Sequence, residues 1–373
     1  MQFIDLESQY ARIQPALMQS MARVLDTQHY IMGPEVFELE QRLADYVGVK
    51  HALSCSSGTD ALVIALMVQN LTRKDAVFVP SFTFFASAES ISLAGATPVF
   101  VDSEPDSFNL SLQSLKDAYA QVVREGRLNP RGIIAVDLFG LPADWDELQR
   151  FACEKGLFLV EDAAQGFGGR YKDKKVGSFG DVAATSFFPA KPLGCYGDGG
   201  AIFTNDDETA ALMRSVRVHG EGVDKYDNVR VGLNGRLDTL QAAVLLHKMD
   251  IFDSELVARE QVAAAYTQAL QGALVAPSVP AHCRSAWAQY SLVAATPTQR
   301  EAILAALSAA DIPSAVYYRI PIHLSVAYQH LGYLPGSLPV CEDLSGRIFS
   351  LPMHPYLSAQ DITRISTTVL GAL

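Results

Sequence analysis

The chain has 373 residues, 49% of them hydrophobic and 19% charged. That is the balance of a well-packed protein, long enough for one large α/β domain and a smaller one. A formal net charge of −12 argues against nucleic acid as the main partner, because a phosphate polymer needs a basic face. A small anion held by a few local donors stays open.

An amphipathic helix is expected over about residues 8–25. From roughly 35 to 205, short apolar runs alternate with helical patterns. Strands are expected at Ala76–Val79, Pro98–Val101, Gly132–Asp137, Leu157–Val160, Ala183–Phe188 and Ala201–Thr204, and helices at Ala61–Val68, Leu112–Val123 and Asp146–Glu154. Such alternation predicts a largely parallel sheet covered on both faces, with ligands gathering at the carboxyl ends of its strands.

A helical stretch at Leu237–Met249 closes this part, and a second region begins near Asp250. It reads as a separate Ala-rich helix (Ser254–Leu270), a strand (Gln289–Ala294), a helix (Thr298–Ala310) and a closing helix from Ser358, with Ser358 and Asp361 as a capping box. The expected division is a large α/β domain over 1–250, including the N-terminal helix, and a small α+β domain over 251–373. No internal repeat or low-complexity tract interrupts it. No apolar run is long enough to span a bilayer, and the first residues lack the pattern of a secretory leader. Cys55, Cys153, Cys195, Cys283 and Cys341 form neither a disulfide framework nor a metal-ligand pattern, so a cytoplasmic setting without a resident metal is expected.

Three constellations carry chemistry. Ser56-Ser57-Gly58-Thr59-Asp60 runs straight into the apolar Ala61–Leu66. Such a turn exposes helix N-terminal N–H groups to a phosphate, and taken alone it reads more readily as a plain N-cap. Val160-Glu161-Asp162-Ala163-Ala164-Gln165 sets a carboxylate just after an apolar strand. It could keep a ring nitrogen protonated, or cap the next segment. Ser186-Phe187-Phe188-Pro189-Ala190-Lys191-Pro192-Leu193-Gly194 sets a lysine between an apolar strand and a Gly-rich turn. A desolvated lysine has a lowered pKa and is a nucleophile toward carbonyls. Ser186, five residues earlier, could reach a phosphate beside it.

As an ordered set, Gly58-Thr59, Asp162 with Gln165, Ser186 with Lys191, and Asn234-x-Arg236-Leu237-Asp238 resemble the motifs of the nucleotide-sugar aminotransferases of the DegT/DnrJ/StrS type. The resemblance runs from Phe3-Ile4-Asp5-Leu6 to Ser350-Leu351-Pro352-Met353-His354-Pro355. It implies the aspartate-aminotransferase fold (fold type I) and pyridoxal 5'-phosphate as cofactor, with the pyridoxamine form as intermediate. Position by position, it implies that Lys191 binds the cofactor covalently, Asp162 bonds the ring nitrogen and Gln165 the phenolic oxygen. Gly58, Thr59 and Ser186 would bind the phosphate, Phe84 would stack on the ring, and Asn234 would reach the phosphate of a neighbouring subunit in a homodimer with shared sites. Tyr318, Arg319 and His323 match the segment that closes over the substrate, and Arg236 is the cation best placed for a carboxylate. His219-Gly220 resembles a loop that reaches across the dimer.

Within the family, Tyr30–Val36, Phe187–Gly200 and Arg236–Ala243 resemble members that aminate a UDP-linked 2-acetamido-3-oxo-glucuronate for surface polysaccharide, with glutamate as donor. Members acting on other 3- or 4-keto sugars share much of that core. Two other readings meet specific obstacles. The sugar dehydratases of this fold carry His where Lys191 stands, and a regulator would need a DNA-binding module for which the charge and length leave no place.

Overall fold

The computed structural model describes residues 1–224 and 226–373. Asp5 begins the first element, its carboxylate accepting the Ser8 N–H at 2.9 Å to cap α1 (Leu6–Thr27). Pro34 then opens α2 (Pro34–Val47) from its first turn, and Gly48, at φ 87°, ends it. Next come β1 (His51–Cys55), α3 (Gly58–Met67), β2 (Asp75–Pro80), α4 (Ala86–Leu93), β3 (Thr97–Val101), α5 (Leu112–Glu125), β4 (Asn129–Val136), α6 (Trp145–Lys155) and β5 (Phe158–Asp162). Two-residue strands β6 (Arg170–Tyr171) and β7 (Lys174–Lys175) form a side hairpin, followed by β8 (Val182–Ser186), β9 (Gly200–Thr204) and α7 (Asp207–Arg217).

The seven main strands form one sheet in the order β1-β9-β8-β5-β4-β2-β3. The β2, β3, β4, β5 and β8 pairings are parallel, and β9 alone runs against both of its neighbours. Strand alternation sorts the core. Val77, Val79, Ile134, Val136 and Val160 face α3 and α4, whereas Ala76, Phe78, Ile133, Ala135 and Leu159 face α5 and α6. Both faces are thus dry, which is why the central strands read as continuous apolar runs. The carboxyl ends of β1, β2, β5 and β8 share one edge; Asp162 and Ser186 end their strands there, and Gly58 and Phe84 follow β1 and β2.

Beyond the sheet lies α8 (Thr239–Leu270), 32 residues without Gly or Pro. The sequence suggests two helices broken near Asp250; the structure has one. The acidic residues that look like a break are side-chain partners of α2: Asp250 accepts from Arg42 at 2.7 Å and Asp253 from Tyr46 at 3.2 Å. The stretch of α8 up to Leu256 packs Leu245, Phe252 and Leu256 against α2. The second half packs Val262, Tyr266 and Leu270 into another core. That core is completed by β11 (Tyr290–Val293), α9 (Pro297–Ala309), β12 (Ile348–Leu351) and α11 (Ala359–Leu370), after the short β10 (Cys283–Arg284) and with α10 (Pro339–Arg347) leading into β12. Strands β11 and β12 pair antiparallel, and Ser358 with Asp361 forms the capping box of α11. Among the described residues all five cysteines are free, and no helix is long and apolar enough to cross a membrane.

Candidate active site

The N-terminus of α3 meets the end of β8. Ser57 caps α3 by accepting the Asp60 N–H at 3.0 Å, while its carbonyl accepts the Ala61 N–H. The N–H groups of Gly58 and Thr59 have no acceptor within the helix and point out of its first turn. Gly58 lies so close to β8 that a Cβ there would stand 2.5 Å from the Ser186 Cβ. Only a residue without a side chain lets helix terminus and Ser186 approach this closely. The Ser186 oxygen accepts the Phe188 N–H at 3.2 Å, which leaves its hydroxyl hydrogen for a ligand. Together these donors make an anion cradle at the positive end of a helix dipole.

Asp162 ends β5 and is 4% exposed. Burial raises its pKa, opposed by a Ser87 hydroxyl donating to Oδ2 at 2.7 Å, the Ala164 N–H donating to Oδ1 at 3.2 Å, and the charge of Lys191. Lys191 is half-buried in the turn after β8, where its N–H donates to the Phe188 carbonyl at 2.8 Å. Desolvation brings its amine down to about 8, with the Asp162 charge pulling the other way. Lysine and carboxylate therefore sense each other across the same edge of the sheet. The preceding residue, Glu161, points to the opposite face, where its carboxylate accepts the Gly177 and Phe179 N–H groups, both at 2.8 Å.

Gln165 follows in the turn after β5. Its Oε1 accepts the Phe139 N–H at 2.9 Å, and its Nε2 donates to the Tyr318 hydroxyl at 3.0 Å. Tyr318 stacks on Phe139 with centroids 6.5 Å apart, and burial raises its phenol above the ordinary range. Phe84 stands 6.5 Å from the Tyr318 ring and is 56% exposed, an aromatic face open at the rim.

Asn234 and Arg236 flank Gly235, whose carbonyl accepts the Ser56 N–H at 3.0 Å, so this segment lies beside the α3 turn. Arg236 Nη2 donates to Asn234 Oδ1 at 2.6 Å, while its Nε is buried with no acceptor. Arg319 is exposed on the segment after Tyr318.

His323 departs from its expected place at the substrate. It is 1% exposed, with Nδ1 2.7 Å from Ser81 Oγ and Nε2 3.1 Å from Glu342 Oε1. Both ring nitrogens are thereby used, which leaves none for a sugar. Its backbone N–H also donates to Ser81 Oγ at 3.1 Å, so it anchors the loop that carries Phe84. Two hydroxyls that the sequence does not single out stand behind Asp162: Ser87 Oγ is 2.7 Å from Oδ2, and Thr83 Oγ1 is 3.2 Å from Ser87 Oγ. Their only sequence signal is the hydroxyl-rich Ser81–Ser87 stretch.

Pyridoxal phosphate needs a phosphate cradle, a buried carboxylate for its ring nitrogen and an amine of lowered pKa. The Gly58–Ser186 approach, the Asp162 carboxyl and Lys191 supply all three, so the residues present fit that group. Among the described residues, no cluster of three or more His, Cys, Asp or Glu side chains could hold a metal.

Residues 11–370 match the DegT/DnrJ/EryC1/StrS aminotransferase family. The chain is 45% identical, over 97% of itself and 97% of the other protein, to the UDP-2-acetamido-2-deoxy-3-oxo-D-glucuronate aminotransferase of Pseudomonas aeruginosa. Its structure resembles the crystal structure of a DegT/DnrJ/EryC1/StrS aminotransferase from Brucella abortus, with a TM-score of 0.97 and 51% identity over 100% of this chain and 99% of that one. It also resembles S. venezuelae DesV in complex with a ketimine intermediate, with a TM-score of 0.93 and 35% identity over 99% of this chain and 97% of that one.

Proposed function

The chain belongs to the DegT/DnrJ/EryC1/StrS aminotransferase family and is a pyridoxal-phosphate-dependent nucleotide-sugar aminotransferase; on that premise we propose that it aminates UDP-2-acetamido-2-deoxy-3-oxo-glucuronate at C3, with glutamate as donor. The observation that carries this reading is the 45% identity, end to end, with the P. aeruginosa UDP-2-acetamido-2-deoxy-3-oxo-D-glucuronate aminotransferase. The product would serve surface polysaccharide, including lipopolysaccharide O-antigen. Five free cysteines are in keeping with a cytoplasmic setting.

When bound, pyridoxal phosphate supplies an aldehyde that condenses with amines and a ring that takes up the electron pair left by a departing proton. The chain's residues aim and time that chemistry. Gly58, Thr59 and Ser186 hold the phosphate, and Phe84 covers a ring face. Gln165 donates to the phenolic oxygen, and Asp162 holds the proton on the ring nitrogen as its counter-charge. Lys191 binds the group at rest. Once freed by glutamate, its Nζ would take the proton from the glutamate α-carbon; the nitrogen stays behind, and water supplies the carbonyl oxygen of the departing 2-oxoglutarate. In the second half the sugar's ketone oxygen leaves as water, nitrogen arrives at C3, and Lys191 Nζ returns a proton there. An amine with a pKa brought to about 8 can gain and lose that proton near neutrality.

Arg236 is the reader proposed for the sugar's 6-carboxylate, because its buried Nε lacks an acceptor and guanidinium pairs bidentately with carboxylates. Tyr318 and Arg319 stand on the segment at the rim. The test mixes the pyridoxamine form of the enzyme with a panel of keto-sugar nucleotides and follows the return of pyridoxal absorbance. The UDP-linked 3-keto uronate should react fastest, and a neutral 6-hydroxymethyl analogue about 5- to 150-fold less efficiently. Arg236→Ala should narrow that gap by slowing the uronate, and Lys191→Ala should turn over neither. Preference for a neutral 4-keto sugar would overturn the substrate and leave the aminotransferase standing.

A further inference from the structure

Asp162 has a problem of its own making. A carboxyl 4% exposed at the end of a dry strand takes up a proton unless donors hold its charged form. The backbone supplies one, the Ala164 N–H to Oδ1, at a long 3.2 Å. The short bond comes from a side chain, Ser87 Oγ to Oδ2 at 2.7 Å, and a hydroxyl donating to a carboxylate is the stronger, charge-assisted kind.

Ser87 does not act alone. Its oxygen lies 3.2 Å from Thr83 Oγ1. An ionised carboxylate only accepts, so the Ser87 hydrogen goes to Asp162, and Thr83 must then donate to Ser87. The chain of hydroxyls runs one way, Thr83 to Ser87 to Asp162, and each bond polarises the next. Ser87 is 1% exposed and Thr83 2% exposed, so water does not compete for them. The pair is also held rigidly. Ser87 sits in the first turn of α4, and the loop before it is tied to a distant segment where Ser81 accepts the Ile322 and His323 N–H groups at 2.9 and 3.1 Å.

We propose that Ser87 is a positioning residue that keeps Asp162 ionised and aimed at the cofactor's ring nitrogen, with Thr83 orienting its hydroxyl. This rests on the reading that Asp162 meets that nitrogen. Its consequence is a division of protons: with Ser87 in place the shared proton stays on the ring, and without Ser87 it moves toward the carboxyl.

The test uses holoenzyme loaded with pyridoxal phosphate labelled with ¹⁵N in the ring, and reads the nitrogen's chemical shift across pH. Ser87→Ala should move the resonance from the protonated toward the unprotonated position. Loss of a hydrogen bond to a charged group should raise the carboxyl's proton affinity roughly 10- to 100-fold and weaken cofactor retention in the same direction. Ser87→Thr, which keeps the hydroxyl, should restore the wild-type resonance. Thr83→Val should shift it part of the way, and carries the test alone if Ser87→Ala does not fold. Resonances of Ser87→Ala or Thr83→Val that coincide with wild type overturn the proposal, as does a shift that Ser87→Thr fails to reverse. Asp162→Asn separates the two ideas. If that variant leaves the resonance unmoved, the role of Asp162 itself is wrong. If it moves the resonance while Ser87→Ala does not, only the role of Ser87 is.

Discussion

Lys191 and Asp162 carry opposite charges at one edge of the sheet, and each alters the other's hold on its proton. Burial brings the Lys191 amine down to about 8, while the Asp162 charge holds it up from falling further. Only the neutral amine attacks an aldehyde. Cofactor capture by the empty protein should therefore quicken about tenfold per pH unit below about 8 and level off above it. Stopped-flow growth of visible absorbance would check this. In Asp162→Asn the supporting charge is gone, so the midpoint should move down, and a midpoint that rises or stays would remove the coupling. Both residues are legible in the sequence because each stands in a short local string, an apolar strand followed by a turn. Ser87 is not, since one hydroxyl at the start of a helix looks like any other. His323 misleads for a related reason: what fixes its role is a partner 242 residues away, Ser81, together with Glu342.

Elements followed the same rule. Apolar runs buried on both faces announce β2, β4 and β5, whereas β1, spelled His51-Ala52-Leu53-Ser54-Cys55, has too weak an apolar signal to stand out. The continuity of α8 is hidden because Asp250 and Asp253 look like terminators until Arg42 and Tyr46 of α2 are seen beside them. The turn leaving β4 is joined to β5 by a device of which the sequence gives no hint. Asp137 Oδ1 accepts the Ala143 N–H at 2.8 Å and Trp145 Nε1 at 3.1 Å, while Oδ2 has no N–H or hydroxyl donor. The Glu161 carboxyl is the buried acid that couples to it, and two buried carboxyls side by side are accommodated by sharing a proton. Burial, and for Glu161 also the neighbouring Asp137 charge, raises both pKa values. The folded chain thus holds a proton that the unfolded chain releases above the acid range. The sign is then fixed: stability from this pair is full at low pH and declines as pH climbs toward the raised folded values, by at most about 1.4 kcal/mol per pH unit for one proton. Asp137→Asn keeps an acceptor for Ala143 and Trp145 and can donate to Glu161 without titrating. Urea unfolding from acid to neutral pH should show a flatter decline in this variant, and an unchanged slope would mean the pair shares no proton.

At the scale of the whole molecule, the segment carrying Asn234 has exposed apolar groups on it and on the stretch bridged to it. Ile31 is 50% exposed and bridges to Asp238, Thr239 donates to the Tyr30 carbonyl, and Val231, three residues before Asn234, is 82% exposed. Exposed apolar side chains near a polar site residue are a feature of surfaces that receive a protein partner. The partner proposed here is a second copy, with Asn234 of each chain serving the phosphate held by the other. Subunit mixing puts that to a quantitative test. Lys191→Ala lacks the amine, and Asn234→Asp sets a negative charge against the phosphate, so each variant alone should be inactive. When the two are refolded together at equal amounts, half of the dimers should be hybrids. In a hybrid, one site combines Lys191 from the Asn234→Asp chain with Asn234 from the Lys191→Ala chain, and the other site carries both substitutions. About a quarter of all sites are then intact, so about a quarter of wild-type activity should return. If Asn234 served its own chain's site, no arrangement of the two chains would restore an intact pair. Activity would then stay at background however well the dimers exchange, which native mass spectrometry of the mixture would establish independently.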